Sequence, residues 1–230
     1  MDLKERIEAV RAQIAAAAIE VGRDPAEITL EAATKTQDAD TVRAAIAAGI
    51  TVCGENRVQE LTQKLDQFAY DGAKVHFIGH LQTNKINKVV GRVDLIESVG
   101  SIKLLEGIDA CAGKLERVQD ILLEVNIGGE ESKSGFAPDE VLFAAEKALK
   151  MPHVRLRGLM AIPPVAQDMG GSRKFFHKIY QLYVDIIQKI GDNKGTITCL
   201  SMGMSQDFAD GVREGATLVR VGTGLFGPRA

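Results

Sequence analysis

Apolar residues recur along this chain in two rhythms. Leu3, Ile7, Val10, Ile14 and Val21 fall mostly three or four apart, which is one buried face of a helix from about residue 2 to 21. Asp24-Pro25 marks the break that follows. Beyond it, short apolar runs alternate with amphipathic stretches. The runs lie near residues 28–35, 51–55, 75–80, 94–99, 120–127, 155–162, 197–202 and 218–222, and each has the length of a strand. The stretches between them carry helical spacing. The first holds Val42, Ala45 and Ile46 and stops at Gly49, and the second holds Val58, Leu61, Leu65 and Phe68. The third, over 84–90, holds Ile86, Val89 and Val90, and the fourth Ile102, Leu105 and Ile108. A fifth opens with Pro138 at its first turn, a long sixth runs from Phe175 to Ile190, and a seventh from Ser205 to about Glu214.

Eight strands separated by seven helices, behind one extra N-terminal helix, predict an α/β fold: a parallel (β/α)8 TIM barrel formed as one domain over residues 1–230. Uninterrupted apolar strands suit a parallel sheet covered on both faces. A doubly wound open sheet is the rival, and it would place a Gly-rich phosphate loop after the first strand. Here that strand, Leu30-Glu31-Ala32-Ala33-Thr34-Lys35-Thr36, ends in a lysine instead.

Composition narrows the class without naming a chemistry. The formal net charge is −3, from 28 basic and 31 acidic residues, with no clustered basic face of the kind nucleic acid requires. Cys53, Cys111 and Cys199 are odd in number and far apart, so they read as free thiols in a reducing cytoplasm. The start, Met1-Asp2-Leu3-Lys4-Glu5-Arg6, lacks the apolar core of a signal peptide. No apolar stretch approaches the ~20 residues of a membrane span.

The candidate chemistry gathers at the predicted C-terminal ends of the strands, where barrel active sites form. Lys35 closes the first strand, and partial desolvation there favours the neutral, nucleophilic amine. Read alone, it could equally snorkel to solvent. The last two runs end in small, polar, glycine-bearing loops, Ser201-Met202-Gly203-Met204-Ser205 and Val221-Gly222-Thr223-Gly224. Side by side they make a phosphate cradle. Arg220 lies within the last strand, between Val219 and Val221, and a guanidinium inside a barrel must meet an acceptor. That acceptor is either a ligand just below the loops or an ion-pair partner such as Glu55 or Glu124. Amine, cradle and arginine together fit a phosphorylated aldehyde whose ring nitrogen accepts a hydrogen bond, which is pyridoxal phosphate. A phosphosugar aldolase with a Schiff-base lysine fits the amine and cradle but explains Arg220 less well.

Other signals are weaker. In His76-Phe77-Ile78-Gly79-His80 the two histidines, four apart on a strand, stand too far from each other to share a metal ion, and no metal is expected. His80 lies at the strand end, facing the mouth. Gly128-Gly129-Glu130-Glu131-Ser132-Lys133-Ser134 only echoes a P-loop and reads as the loop after the fifth strand. Asn56, ending the second strand, is either a ligand contact or a turn residue.

Several segments together carry a resemblance. They are Ala33-Thr34-Lys35-Thr36, Gly54-Glu55-Asn56-Arg57-Val58-Gln59-Glu60, His76-Phe77-Ile78-Gly79-His80-Leu81-Gln82-Thr83-Asn84-Lys85, Glu130-Glu131-Ser132-Lys133-Ser134-Gly135-Phe136, Gly158-Leu159-Met160-Ala161-Ile162-Pro163-Pro164, Leu200-Ser201-Met202-Gly203-Met204-Ser205 and Arg220-Val221-Gly222-Thr223. In that order they resemble the pyridoxal phosphate homeostasis family, whose barrel is like the alanine racemase N-terminal domain. The resemblance implies a Schiff base between Lys35 and pyridoxal phosphate, phosphate contacts from Ser201, Ser205, Gly222 and Thr223, and Arg220 at the pyridine nitrogen. It implies that Asn56, His80 and Met202 line the pocket. It further implies a cytoplasmic regulator of vitamin B6, expected as a monomer and without catalytic residues, whose partners are the cofactor and pyridoxal-phosphate-dependent apo-enzymes. Arg57 stands where tyrosine is common and Ala161 where threonine is common.

The competing function is a pyridoxal-phosphate amino-acid racemase of the same barrel class. Such an enzyme needs a second acid or base on the far face of its substrate, usually a tyrosine, and carries an added β-domain. Tyr70, Tyr180 and Tyr183 all fall in or beside helical segments, and no residues remain for a further domain.

Overall fold

A computed structural model of the chain describes residues 1–130, 133–164, 170–191 and 195–227. Among them, the apolar runs become eight parallel strands: β1 (Thr29–Ala33), β2 (Val52–Glu55), β3 (Lys74–Phe77), β4 (Leu95–Val99), β5 (Gln119–Val125), β6 (Val154–Ala161), β7 (Cys199–Met204) and β8 (Leu218–Val221). They pair in chain order, and β8 returns to pair with β1, so the sheet closes into a barrel. Helix α1 (Leu3–Glu20) precedes the barrel. Its start is fixed by a capping box, in which Glu5 N–H donates to Asp2 Oδ1 and Asp2 N–H donates to Glu5 Oε2, both at 2.8 Å.

Helices α2 (Ala39–Ala47), α3 (Val58–Asp66), α4 (Ile102–Lys114), α5 (Val141–Leu149), α6 (Arg173–Ile190), α7 (Phe208–Arg213) and α8 (Thr223–Phe226) follow the strands. A 3-10 helix, Thr83–Lys88, covers the expected third helical stretch. Gly49 ends α2 as expected, at φ +101°, which side chains rarely adopt. Helix α1 packs on α7 and α8, and Arg6 Nε donates to Leu225 O at 2.6 Å. Among the described residues no helix is long and apolar enough to cross a membrane.

Four local expectations need correction. Phe68 does not extend the buried face of α3. It sits past the helix end at φ +53°, 71 % exposed, where Ala69 N–H and Phe68 N–H return to the carbonyls of Lys64 and Leu65. Pro138 lies in the turn before α5 rather than in its first helical turn, because Glu140 takes the cap position and accepts the Ala137 N–H at 2.9 Å. Helix α7 starts at Phe208, not Ser205, because Asp207 Oδ1 accepts the Met204 N–H at 2.7 Å and folds the intervening residues into a turn. Helix α8 was not expected from the pattern at all, its apolar content being too short to show a period. Glu131 and Ser132, in the loop after the fifth strand, lie outside the described residues.

Strand alternation sorts the core into two compartments. Ile121 and Leu123 point outward and join Phe77, Leu105, Ile108 and Phe176 in the layer beneath the helices. Leu122, between them, points inward with Leu95 and Met160. A polar cluster shares the barrel interior. Glu31, His76, Glu97, Ser201 and Arg220, contributed by β1, β3, β4, β7 and β8, are all buried there.

Candidate functional site at the barrel mouth

The strands open at their C-terminal ends onto a cavity of about 850 Å³. Lys35, Asn56 and His80 reach it from the residues after β1, β2 and β3, and Ser205, Gly222 and Thr223 from those after β7 and β8. Arg220 forms part of its floor. Seven of the nine sequence-predicted residues therefore share one cavity. Lys35 is half-buried. The strand ends can converge this closely because Gly79 has no side chain: a Cβ there would lie 2.0 Å from the Asn56 carbonyl oxygen.

The two residues that do not line the cavity are Ser201 and Met202. Ser201 lies deeper, paired with Leu218 two residues before Arg220, and the register shift between Ser201 and Met204 adds one β7 residue there, so that Ser201 rather than Met202 faces inward. It is fully buried, donates its hydroxyl to Glu97 Oε2 at 2.6 Å and accepts from Arg220. With Ser201 facing inward, Met202 faces outward and is buried in the apolar layer under the helices.

The cradle is built from backbone. Ser205 Oγ accepts the N–H groups of Gly222 at 3.1 Å and Gly224 at 3.3 Å, which points both amides at one spot on the cavity wall. Across the mouth, exposed His80 shares a hydrogen bond of 3.0 Å between its Nδ1 and Ser134 Oγ. Asn56 Oδ1 is buried and has no protein hydrogen-bond partner. A buried amide oxygen in that state costs about 1–3 kcal/mol unless a bound donor satisfies it.

Arg220 has an acceptor set, and it is neither of the carboxylates considered from the sequence. Its guanidinium donates to Ala161 O at 3.0 Å and to Ser201 Oγ, and lies 3.7 Å from Glu97 Oε2. Glu55 is instead paired with Lys64 at 2.6 Å, on the outer side of the barrel. Glu124 lines the cavity. Burial raises its pKa, while the charges of Arg220 and His80 pull it back down.

Beneath Arg220 the polar chain continues. Glu97 Oε1 and Glu31 Oε2 both meet His76 Nδ1, at 2.8 and 3.1 Å. Burial, reinforced by the Glu97 charge, pushes Glu31 up to about 8. Burial disfavours charge on His76 too, but its hydrogen bonds to Glu31 and Glu97 outweigh that and raise it to about 10. Glu97 also resists burial, and the hydrogen bond and charge of His76 hold it well below the usual carboxylate range. So Glu97 carries the negative charge facing Arg220, and Glu31 keeps a proton. The donor atoms of Glu31, His76 and Glu97 lie within 4.8 Å of one another, the spacing of a possible metal-ligand set. Arg220, Ser201 and the shared protons already engage them. Glu31 and His76 carry the same signal that singled out Arg220, a charged or polar residue between two apolar ones inside a strand, in Leu30-Glu31-Ala32 and Val75-His76-Phe77, whereas Glu97, followed by Ser98, carries it on one side only.

The family model described as "Alanine racemase, N-terminal domain" matches residues 9–230. The chain is 40 % identical over 229 residues to a pyridoxal phosphate homeostasis protein of Aquifex aeolicus, covering 100 % of this chain and 99 % of that one. The chain belongs to the pyridoxal phosphate homeostasis family. A second member, from Pseudomonas aeruginosa, is 39 % identical over 227 residues, covering 99 % of this chain and 96 % of that one. Among solved structures, PipY of Synechococcus elongatus with pyridoxal phosphate (PLP) bound matches with a TM-score of 0.85 at 32 % identity, over 98 % of this chain and 100 % of that one. An alanine racemase of Clostridium difficile shares the fold, with a TM-score of 0.76 at 15 % identity, and this chain spans 57 % of its length. Pyridoxal phosphate is thus the ligand associated with the family to which this mouth belongs.

The donor set fits that group. The Lys35 amine, the Arg220 guanidinium, the Ser205 and Thr223 hydroxyls and the Gly222 amide belong to residues that line a single cavity.

Proposed function

We propose that this chain is a pyridoxal phosphate carrier of vitamin B6 homeostasis. In this reading Lys35 holds the cofactor as a Schiff base, and no amino acid is turned over. The observation that carries the reading is the convergence of Lys35, Arg220, Ser205, Gly222 and Thr223 on one cavity. When bound, the cofactor supplies an aldehyde carbon that condenses with a primary amine, releasing one water.

The chain's own residues divide the work. Of the residues expected to contact a phosphate, Ser205, Gly222 and Thr223 line the cavity and receive it. Asn56 and His80 border the ring from the far wall. Arg220 has five N–H donors, and its bonds to Ser201 and Ala161 leave others for a ring nitrogen. A guanidinium keeps its proton at any working pH, so the nitrogen it faces stays unprotonated and the ring is a weak electron sink. That favours holding the cofactor over transforming a substrate.

The racemase reading needs a tyrosine at the mouth. Among the described residues none lines the cavity. Tyr70 donates to Glu55 at 3.0 Å in the outer layer, Tyr183 donates to Ile197 O at 3.0 Å, and Tyr180 is exposed on α6. The carrier works in the reducing cytoplasm, consistent with free Cys53, Cys111 and Cys199, acts as a monomer, and delivers to pyridoxal-phosphate-dependent apo-enzymes.

The test is spectroscopic. Protein mixed with pyridoxal phosphate should gain a visible Schiff-base band that borohydride abolishes, leaving the reduced adduct on Lys35 by peptide mass. Lys35→Ala should lack both while keeping the fold. Racemisation of any amino acid well above the rate of free cofactor would overturn the carrier assignment.

A further inference from the structure

Lys35 is gripped from outside the barrel. The carbonyl just before it, Thr34 O, accepts a hydrogen bond from Lys64 Nζ at 2.8 Å. The amide just after it, Thr36 N–H, donates to Glu60 Oε2 at 2.7 Å. Lys64 and Glu60 lie one turn apart on α3, with Lys64 Nζ 3.8 Å from Glu60 Oε2. Two adjacent side chains of one helix therefore hold the two peptide groups that flank Lys35.

The grip is anchored at depth. Glu55 Oε1 receives Lys64 Nζ at 2.6 Å, the Thr34 hydroxyl at 2.7 Å and the Tyr70 hydroxyl at 3.0 Å, all in the buried layer between barrel and helices. Lys64 is 7 % exposed and Glu55 is fully buried, an arrangement that nature keeps only where both charges are paired. Glu55 is also the last residue of β2, directly before Asn56 on the cavity wall.

The segment held this way is strained. Thr36 has φ +67°, in the left-handed region that a β-branched residue adopts at a cost of about 1–3 kcal/mol. Such a conformation persists only when surrounding contacts over-determine it. Here those contacts are the bond that closes the turn, from Gln37 N–H to Thr34 O at 3.1 Å, and the α3 side chains that grip the turn on both sides of Lys35. If Thr36 relaxed to negative φ, the chain direction after Lys35 would change, and with it the direction in which the Lys35 side chain leaves the backbone.

We propose that Lys64 and Glu60 of α3, braced by Glu55, are positioning residues that aim the Lys35 amine at the aldehyde carbon of the bound cofactor. This rests on the Schiff-base reading above. Neither residue touches the cavity, and both act through the backbone on either side of Lys35. Condensation requires the amine nitrogen to approach the carbonyl carbon along a narrow line, and small misplacements of a reacting group are costly. The phosphate cradle, built by β7 and β8 on another part of the rim, is independent of α3.

The experiment uses two ligands that differ only at the reacting carbon. Pyridoxal 5'-phosphate reaches both cradle and amine, whereas pyridoxine 5'-phosphate has an alcohol in place of the aldehyde and reaches the cradle alone. Glu60→Ala should weaken pyridoxal phosphate binding and slow borohydride-trappable adduct formation by about tenfold or more, with pyridoxine phosphate affinity unchanged. Glu60→Gln, which keeps an acceptor oxygen for Thr36, should restore both. Lys64→Met paired with Glu55→Gln, which removes the two buried charges together, should behave like Glu60→Ala; if that protein does not fold, Glu60→Ala and Glu60→Gln decide alone. Equal loss of both ligands in Glu60→Ala, or loss of neither, overturns the clamp. If the wild-type chain gives no trapped adduct on Lys35, the Schiff-base reading itself fails, which is a separate result from failure of the clamp.

Discussion

The Glu97 carboxylate and the Arg220 guanidinium face each other inside the barrel at 3.7 Å, and both engage the Ser201 hydroxyl. Below them Glu31 and His76 bring a second carboxyl and a second cation to the same buried space. Glu31 holds its proton chiefly because it is buried, with the charge of Glu97 adding to the effect. Remove the Glu97 charge, and Glu31 is free to ionise and take its place. Glu97→Gln should therefore be milder than the roughly 3–5 kcal/mol expected for orphaning a buried charge. Glu31→Gln should also be mild. The double variant removes both carboxyls that face His76 and leaves Glu124 as the carboxyl whose charge couples to Arg220, so its cost should exceed the sum of the singles by about 1 kcal/mol or more in denaturant unfolding. Additivity would mean that the two carboxyls do not share this role.

The same cluster sets a pH dependence. His76 is raised from 6.5 to about 10, so its stabilisation is full below 6.5 and is lost as pH climbs toward 10. Glu31, raised from 4.5 to about 8, works in the same direction over 4.5–8. Glu97 is lowered, so its contribution is present above 4.5 and fades as pH falls below that. The melting temperature should thus drop on the alkaline side, by about 2–4 °C for each kcal/mol lost in a chain of this size. His76→Gln should flatten the slope between about pH 6.5 and 10. A melting temperature that holds steady across that interval in the wild-type chain would refute the assignment of charge to His76.

The barrel itself was legible because each strand is a mostly apolar run and each break carries a glycine, proline or polar cluster. Lys35, Asn56, Gly222 and Thr223 were legible for a related reason: they sit where a run ends, and in a parallel barrel every run ends at the same face. Depth within the barrel was not legible. Ser201 reads as a loop residue, yet it pairs with Leu218 below Arg220, and the extra β7 residue before Met204 turns it inward, a shift that depends on pairing between strands rather than on either strand alone. Met202 then falls on the outward face by alternation. The partner of Arg220 was hidden for the same cause, since Glu97 lies 123 residues away in sequence and meets it only through closure of the sheet.

Thr223 offers a direct probe of the cradle. It borders the cavity beside the Gly222 amide, so a carboxylate placed there would confront an incoming phosphate. Thr223→Asp should weaken pyridoxal 5'-phosphate by about tenfold or more while barely affecting unphosphorylated pyridoxal, because like charges within about 4–6 Å repel strongly when partly desolvated. Equal affinity of wild type and variant for the phosphorylated form would move the phosphate elsewhere. A uniform loss for both vitamers would instead point to damage of the loop.

Gly79 and Gly222 make a contrasting pair. A methyl group on Gly79 would meet Asn56 backbone at 2.0 Å, and backbone at the end of a paired strand cannot swing aside as a side chain could. At Gly222 the nearest atoms to the same methyl, on Ala33, are at 3.5 Å, ordinary contact distance, and no positive φ is required there. Gly79→Ala should therefore force the ends of β2 and β3 apart, costing roughly 1–3 kcal/mol as overpacking does and displacing Asn56 from the cavity wall. Cofactor binding should fall with it. Gly222→Ala should leave stability within about 0.5 kcal/mol of wild type. Calorimetry on the two variants checks the first claim, and titration with pyridoxine 5'-phosphate, which reports the non-covalent pocket alone, checks the second. A Gly79→Ala protein with wild-type melting and wild-type affinity would show that Asn56 approaches Gly79 less closely than 2.0 Å from a Cβ implies, and that the far wall of the mouth is set by other residues.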